Sequence, residues 1–149
     1  MKQIKRADLH MHSTFSDGVE EPEELVVRAK NNGVELISLT DHDETGGLER
    51  MRAAAAQHGL QFVNGVEISA DYGEVSIHVV GLDFDPEDEM LQALLSRIRD
   101  NRFERAVQMA EKLEKLGMKG VWEGVLKIVT NPRLLSLIHI SEPTRPEPI

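Results

Sequence analysis

The chain has no cysteine, which excludes disulfides and thiolate zinc sites and leaves its redox compartment open. Aromatic residues are scarce, at 4%, yet the 40% hydrophobic content is enough for a globular core. No apolar run approaches about 20 residues, so no membrane span is expected. Positive charge is in short supply. The 17 basic residues stand against 26 acidic ones for a net charge of −9, which argues against broad, stable nucleic-acid binding. A local cationic patch or bound divalent metals could still receive phosphates, and part of the negative count fits metal ligands. No signal peptide is read at the N-terminus, where Lys2, Lys5 and Arg6 lead into a strand-like segment rather than an apolar h-region. The expectation is one cytoplasmic domain of ordinary size within 149 residues.

What the chain does have is a dense polar stretch from Asp8 to Gly18. Ile4 to Leu9 reads as a β-strand running into a polar loop. Residues two apart on a strand share a face, so His10 and His12 would present both imidazoles to one point. Asp17 follows in a Ser-Asp-Gly turn that can fold its carboxylate back toward them. Two nitrogens and an oxygen converging at a strand end outline a first-row metal site. A pair of surface histidines beside a turn has the same spacing.

Further along, Pro22 suits a first helical position, and the acidic residues from Glu20 to Glu24 suit a helix N-terminus. Leu25, Val26 and Ala29 give that helix a buried face, and Gly33 closes it. Val34 to Leu39 reads as a second strand ending in Thr40-Asp41-His42-Asp43. Thr45 is placed to cap a helix that runs to Gly59. A third strand from Gln61 to Val66 ends at Glu67, and Glu74 to Leu82 reads as a fourth, carrying His78. The order β-α-β-α-β-β implies parallel pairing of the early strands, with chemistry at their carboxyl ends. From Pro86 to Gly117 an apolar stripe at helical spacing predicts one long helix or two short ones, and Gly120 to Val129 predicts another. The domain reading is therefore an α/β part over 1–85 and a helical insertion over 86–134.

Residues 135–149 are set apart. Leu135 to Arg145 resembles the translation of a sequencing-library adapter, and four of the six prolines fall in the last 18 residues. The expectation is a non-native tail, excluded from fold reasoning along with His139.

The candidate constellation is His10, His12, Asp17, Asp41, His42, Asp43, Glu67 and His78. Singly these have plain explanations: a capping loop, a solvated strand end, a satisfied core histidine. Jointly, imidazoles and carboxylates without cysteine are a donor set for Mn²⁺, Fe²⁺ or Zn²⁺. This many donors suits more than one ion, with a carboxylate such as Glu67 bridging. Closely spaced ions suit phosphate ester hydrolysis, because they activate water and clamp the attacking and leaving oxygens.

Five ordered motifs resemble the PHP (polymerase and histidinol phosphatase) family. They are His10-x-His12, Ser16-Asp17-Gly18, Thr40 to Asp43, Gly65 to Ser69 and Ile77 to Leu82. Within it they are most similar to the nucleoside 3′,5′-bisphosphate phosphatases and 5′-to-3′ exoribonucleases. The resemblance implies His10, His12, Asp17, His42, Glu67 and His78 as ligands of divalent metal, typically manganese, up to three ions in the complete fold. It also implies the N-terminal part of a distorted seven-stranded (β/α) barrel with a helical insertion. The Arg102-x-x-Arg105-Ala106 segment is similar to one used near substrate phosphate, so Arg102 and Arg105 are the substrate candidates. A guanidinium fork matches phosphate oxygens bidentately. A solvated helix face paired with Glu104 or Asp100 is the alternative for both.

The implied activity is a metal-dependent phosphoesterase acting on nucleotides or short RNA. Another PHP activity (histidinol phosphatase or polymerase-linked proofreading) and a non-catalytic metal-binding module are the competing readings. The later barrel strands, a further histidine and an Asp-x-His pair have no counterpart here. About 130 residues stand against roughly 250 for a complete barrel. An unclosed sheet is expected to leave an edge and an apolar face exposed, and to leave this stretch poorly stable and weakly active or inactive.

Overall fold

The computed structural model describes residues 4–73 and 75–128. The expected tail at 135–149 lies outside the described residues, as do Glu74 and Val129. The chain divides into two compact units, the first ending at Ser96 and the second beginning at Arg97.

In the first unit, β1 (Ala7–Asp8) is followed by α1 (Pro22–Asn31), β2 (Leu36–Leu39), α2 (Leu48–His58), β3 (Gln61–Tyr72) and β4 (Val75–Leu82). The sheet order is β1-β2-β3-β4. The β1–β2 and β2–β3 pairs are parallel and the β3–β4 pair is antiparallel. Two helical crossovers between parallel strands and then a hairpin match the N-terminal part of a (β/α) barrel.

α1 begins where Pro22 fixes φ and gives up no helical hydrogen bond. Ahead of it, the Glu24 carboxylate accepts the Glu21 backbone N–H at 2.9 Å, which satisfies a donor the helix leaves open. Gly33, at φ 71°, turns the chain away in the left-handed conformation that glycine adopts without strain. Leu25, Val26 and Ala29 pack toward Ile37 and Leu39 of β2 and toward Met51 and Ala55 of α2, forming a core in which Val26, Ile37 and Met51 are fully buried. Burial of each such large side chain contributes about 1.5–3 kcal/mol.

Four local expectations are corrected. The first strand is two residues long rather than the six from Ile4 to Leu9, because its parallel pairing with β2 spans only Ala7 and Asp8. The second strand begins at Leu36, two residues after Val34. Thr45 does not cap α2. Gly47 occupies that position, and the Thr45 hydroxyl instead accepts a hydrogen bond from Gln92 at 2.8 Å. The third strand does not stop at Glu67 but continues to Tyr72, since pairing passes at Gly65 from parallel with β2 to antiparallel with β4. Glu67 therefore sits inside a strand.

β4 is an edge of the described sheet, and its apolar residues are uncovered, with Val75 60% and Val79 48% exposed. This is the open edge expected of an unclosed sheet.

The predicted long helix is single: α3 runs Glu89–Lys115 and crosses the boundary between the two units. α4 (Val121–Ile128) lies in the second unit, where Phe103 and Trp122 meet edge-to-face at 5.6 Å. No helix of the described residues is long and apolar enough to cross a membrane.

Candidate metal centre

Past the end of β1 the chain carries His10 and His12 across the carboxyl end of β2. The Thr40 N–H and hydroxyl both donate to the Met11 carbonyl, at 2.8 and 3.2 Å. The residue between the two histidines is thereby held, and their rings lie 5.1 Å apart. The following turn reverses tightly: the Ser16 and Gly18 N–H groups both donate to the Ser13 carbonyl at 3.0 Å. A Cβ on Gly18 would come within 2.2 Å of the His12 carbonyl oxygen, so only glycine lets the turn bring Asp17 back.

His42 extends the β2–β3 pairing by one bridge to Glu67. The Glu67 N–H donates to the Asp41 carbonyl at 3.2 Å, and the Asp43 N–H donates to the Glu67 carbonyl at 2.9 Å. In the antiparallel ladder His78 stands opposite Ser69, two residues beyond Glu67, and so shares the Glu67 face.

These elements converge on one carboxylate. Glu67 Oε2 lies 2.7 Å from His10 Nε2 and 3.0 Å from His12 Nε2, while Oε1 lies 3.0 Å from His78 Nδ1. His42 stands between the two carboxylates, with Nε2 3.6 Å from Asp17 Oδ2 and Nδ1 3.9 Å from Glu67 Oε2. His12 Nδ1 lies 3.2 Å from Asp17 Oδ1. The four imidazoles form a row, with centroids of 4.6 Å between His12 and His42 and 4.8 Å between His42 and His78. His42 and Glu67 are buried, whereas the His10 side chain is 54% exposed. The row opens to solvent at its ends and is closed beneath.

Three overlapping groups bring their donor atoms within 4.8 Å of one another: His10, His12 and Glu67; His12, Asp17 and His42; and His42, Glu67 and His78. Two buried ring nitrogens, His12 Nδ1 and His42 Nδ1, have no hydrogen-bond partner although carboxylate oxygens are near. Orphaned buried nitrogens beside ionised carboxylates fit a divalent cation, which accepts lone pairs from both. The donor set is nitrogen and oxygen throughout, suited to manganese, iron or zinc.

The electrostatics of the cluster are uneven. Asp17 is held down to about 2 by its contact with His12, with the nearby imidazoles adding to the effect against the cost of burial. The same contact raises His12, with burial opposing it. Burial dominates at His42 and lowers it to about 4. Burial also pushes Glu67 up, but the hydrogen bond from His10 and the charges of His42, His10 and His12 outweigh it and keep it low. Both carboxylates are thus ionised and His42 is neutral at pH 7, the forms that bind metal.

The other two candidates lie in the second unit. Arg102 is buried, so a fully solvated helix face does not describe it, whereas Arg105 is exposed. Missing from the sequence reading were the roles of Ser13, Ser16 and Ser69. Ser13 and Ser16 donate to Asp41, and Ser69 donates to Asp43. Serines inside the motifs were the available signal, but their partners are distant in sequence.

Fold and site together define the N-terminal part of a β/α barrel with a histidine- and carboxylate-rich centre at its strand ends. The PHP domain model matches residues 8–115, and the chain belongs to that family. Among characterised relatives, a 3′,5′-nucleoside bisphosphate phosphatase of Chromobacterium violaceum is 45% identical over 90% of this chain and 47% of its own length. A 5′-3′ exoribonuclease of Haemophilus influenzae is 43% identical over 80% of this chain and 44% of its own. A solved structure of a Chromobacterium violaceum protein, described as an amidohydrolase with bound sulfate and no metal, superposes with a TM-score of 0.81. It is 45% identical over 90% of this chain and 47% of that one. The chain spans about half the length of the curated relatives it matches.

Proposed function

We propose that the protein is a metal-dependent phosphoesterase that hydrolyses nucleotide phosphates, of the nucleoside 3′,5′-bisphosphate phosphatase and 5′-to-3′ exoribonuclease type. The observation that carries this reading is the single buried carboxylate of Glu67 shared by His10, His12 and His78, beside the orphaned nitrogen of His42. Its support also includes the nucleotide- and RNA-directed activities named for the relatives above.

In this reading His10, His12, Asp17, His42, Glu67 and His78 would hold divalent ions, with manganese the metal the family resemblance implies. When bound, such ions supply a hydroxide-like nucleophile from water and charge to offset the phosphoryl oxygens. The chain's own residues do the rest. Asp17 and Glu67 would supply the anionic charge that keeps such ions in place, and the imidazoles would orient them. Arg102 and Arg105 hold a phosphate of the substrate through guanidinium forks. Substrates of this kind, nucleotides or short RNA, belong to the cytoplasm.

The test is phosphate release by the chain with Mn²⁺ from a nucleoside 3′,5′-bisphosphate, a 5′-phosphorylated RNA and histidinol phosphate. Mn²⁺-dependent release from the first two, weak for this stretch of the barrel and lost in His10→Ala with the fold intact, is expected. Release from histidinol phosphate alone would transfer the chain to another PHP activity. Mn²⁺ binding without any release would make it a metal-binding module.

A further inference from the structure

We propose that Asp41 and Asp43, the two residues flanking His42, are positioning residues that bind no ion themselves and act as clamps, each setting the geometry of one half of the cluster. The inference rests on the reading of the cluster as a metal centre.

Both side chains are among the most buried polar groups of the first unit, at 1% and 0% exposure. Neither belongs to any of the three converging donor groups. Their oxygens are turned to serines instead. Asp41 Oδ1 accepts from the Ser13 N–H at 2.7 Å and the Ser16 hydroxyl at 2.6 Å, and Oδ2 accepts from the Ser13 hydroxyl at 2.6 Å. Ser13 follows His12 and Ser16 precedes Asp17, so this carboxylate grips the turn at both ligand positions. On the other side of His42, Asp43 Oδ1 accepts from the Ser69 N–H at 2.7 Å and Oδ2 from the Ser69 hydroxyl at 2.8 Å. Ser69 is the residue of β3 that faces His78 in the ladder and lies two beyond Glu67.

The backbone of Asp43 explains how two aspartates on either side of one histidine can reach opposite ways. At φ 53° it is left-handed, a conformation uncommon outside glycine but tolerated by Asp. This turns the chain over between His42 and Glu44, sending one carboxylate back to the first loop and the other forward onto β3. Hydrogen bonds of 2.6–2.8 Å to both oxygens of a buried carboxylate are short and directional, which suits groups that fix position. Partners that orient ligands from behind set metal affinity as well as fold.

The two clamps predict separable effects on one centre. The test is ring-nitrogen NMR of the whole chain during titration with Zn²⁺, following His12 on the Asp41 side and His78 on the Asp43 side. Ser16→Ala, which removes one of three bonds to Asp41 and the longer 3.3 Å contact with Asp17, is expected to raise the Zn²⁺ midpoint at His12 by about tenfold and leave His78 near its original value. Ser69→Ala is expected to do the reverse. Ser16→Thr and Ser69→Thr keep the hydroxyls and should restore the midpoints, which a loss of general stability would not predict. Equal shifts at both histidines, or no rescue by threonine, would overturn the clamps while leaving the metal centre standing. If the unaltered chain shows no Zn²⁺ response at any histidine, the metal reading falls and the clamps fall with it.

Discussion

Two regions contribute ligands to one cluster and differ sharply in how they are supported. The layer formed by α1, α2 and β2 is packed throughout, with Ile37 at 0% exposure. It holds His42 at the end of β2, and the turn bearing His12 and Asp17 is tied to it through Asp41. The β3–β4 hairpin holds Glu67 and His78, yet its outer strand is uncovered along much of its length. Aliphatic packing backs the first half of the cluster, whose turn is tied to it by Asp41, whereas the second half has polar contacts with an uncovered strand behind them. Glu67 lies just past the point where β3 changes partners, and so it reports on both.

Breaking this comparison starts in the packed layer. Ile37→Ala should destabilise the chain by about 2–5 kcal/mol, because β2 loses a buried side chain that the neighbouring helices cannot replace. Urea unfolding followed by circular dichroism would measure it. Next comes the metal. Saturating Mn²⁺ at about 100 times its dissociation constant should stabilise the chain by about 2.7 kcal/mol, reversed by a chelator and absent in His42→Ala. Thermal melts with and without the ion would read this directly.

At the junction between the regions, a Cβ on Gly65 would lie 2.1 Å from Ser38 Oγ and 2.6 Å from the Leu39 carbonyl oxygen. Gly65→Ala should therefore cost about 1–3 kcal/mol in the same urea experiment. The smallest effect belongs to the uncovered strand. Val79→Ala should change stability by about 0.5 kcal/mol or less. A loss there as large as that of Ile37→Ala would show that the hairpin is supported as firmly as the helical layer.

Much of the fold was legible because its local signals were self-contained. Pro22 with Glu21 and Glu24 marks the start of α1, and Gly33 and Gly59 mark two helix ends, each signal lying within a few residues of the end it marks. The extent of β3 was not legible. A carboxylate after Gly65-Val66 reads as a strand end, and only the antiparallel partner beyond it keeps the strand going. Thr45 was read as a cap for a similar reason, since its actual partner is Gln92, 47 residues away.

At the site, residue types single out His10 and His12, whose rings lie 5.1 Å apart although both stand past the end of β1, where the strand-face spacing does not apply. The division of labour within Thr40 to Asp43 was not readable. Asp41, His42 and Asp43 are chemically similar candidates in the sequence. What separates them is a positive φ at Asp43 and serine partners 28 and 26 residues distant.

The central claim, that Glu67 is the shared carboxylate of a divalent metal centre, is tested most directly by a crystal structure grown with Mn²⁺ and read by anomalous scattering. More than one anomalous peak is expected among His10, His12, Asp17, His42, Glu67 and His78, with the Glu67 carboxylate in direct contact. An absence of peaks there, or peaks only at surface carboxylates away from Glu67, would contradict it.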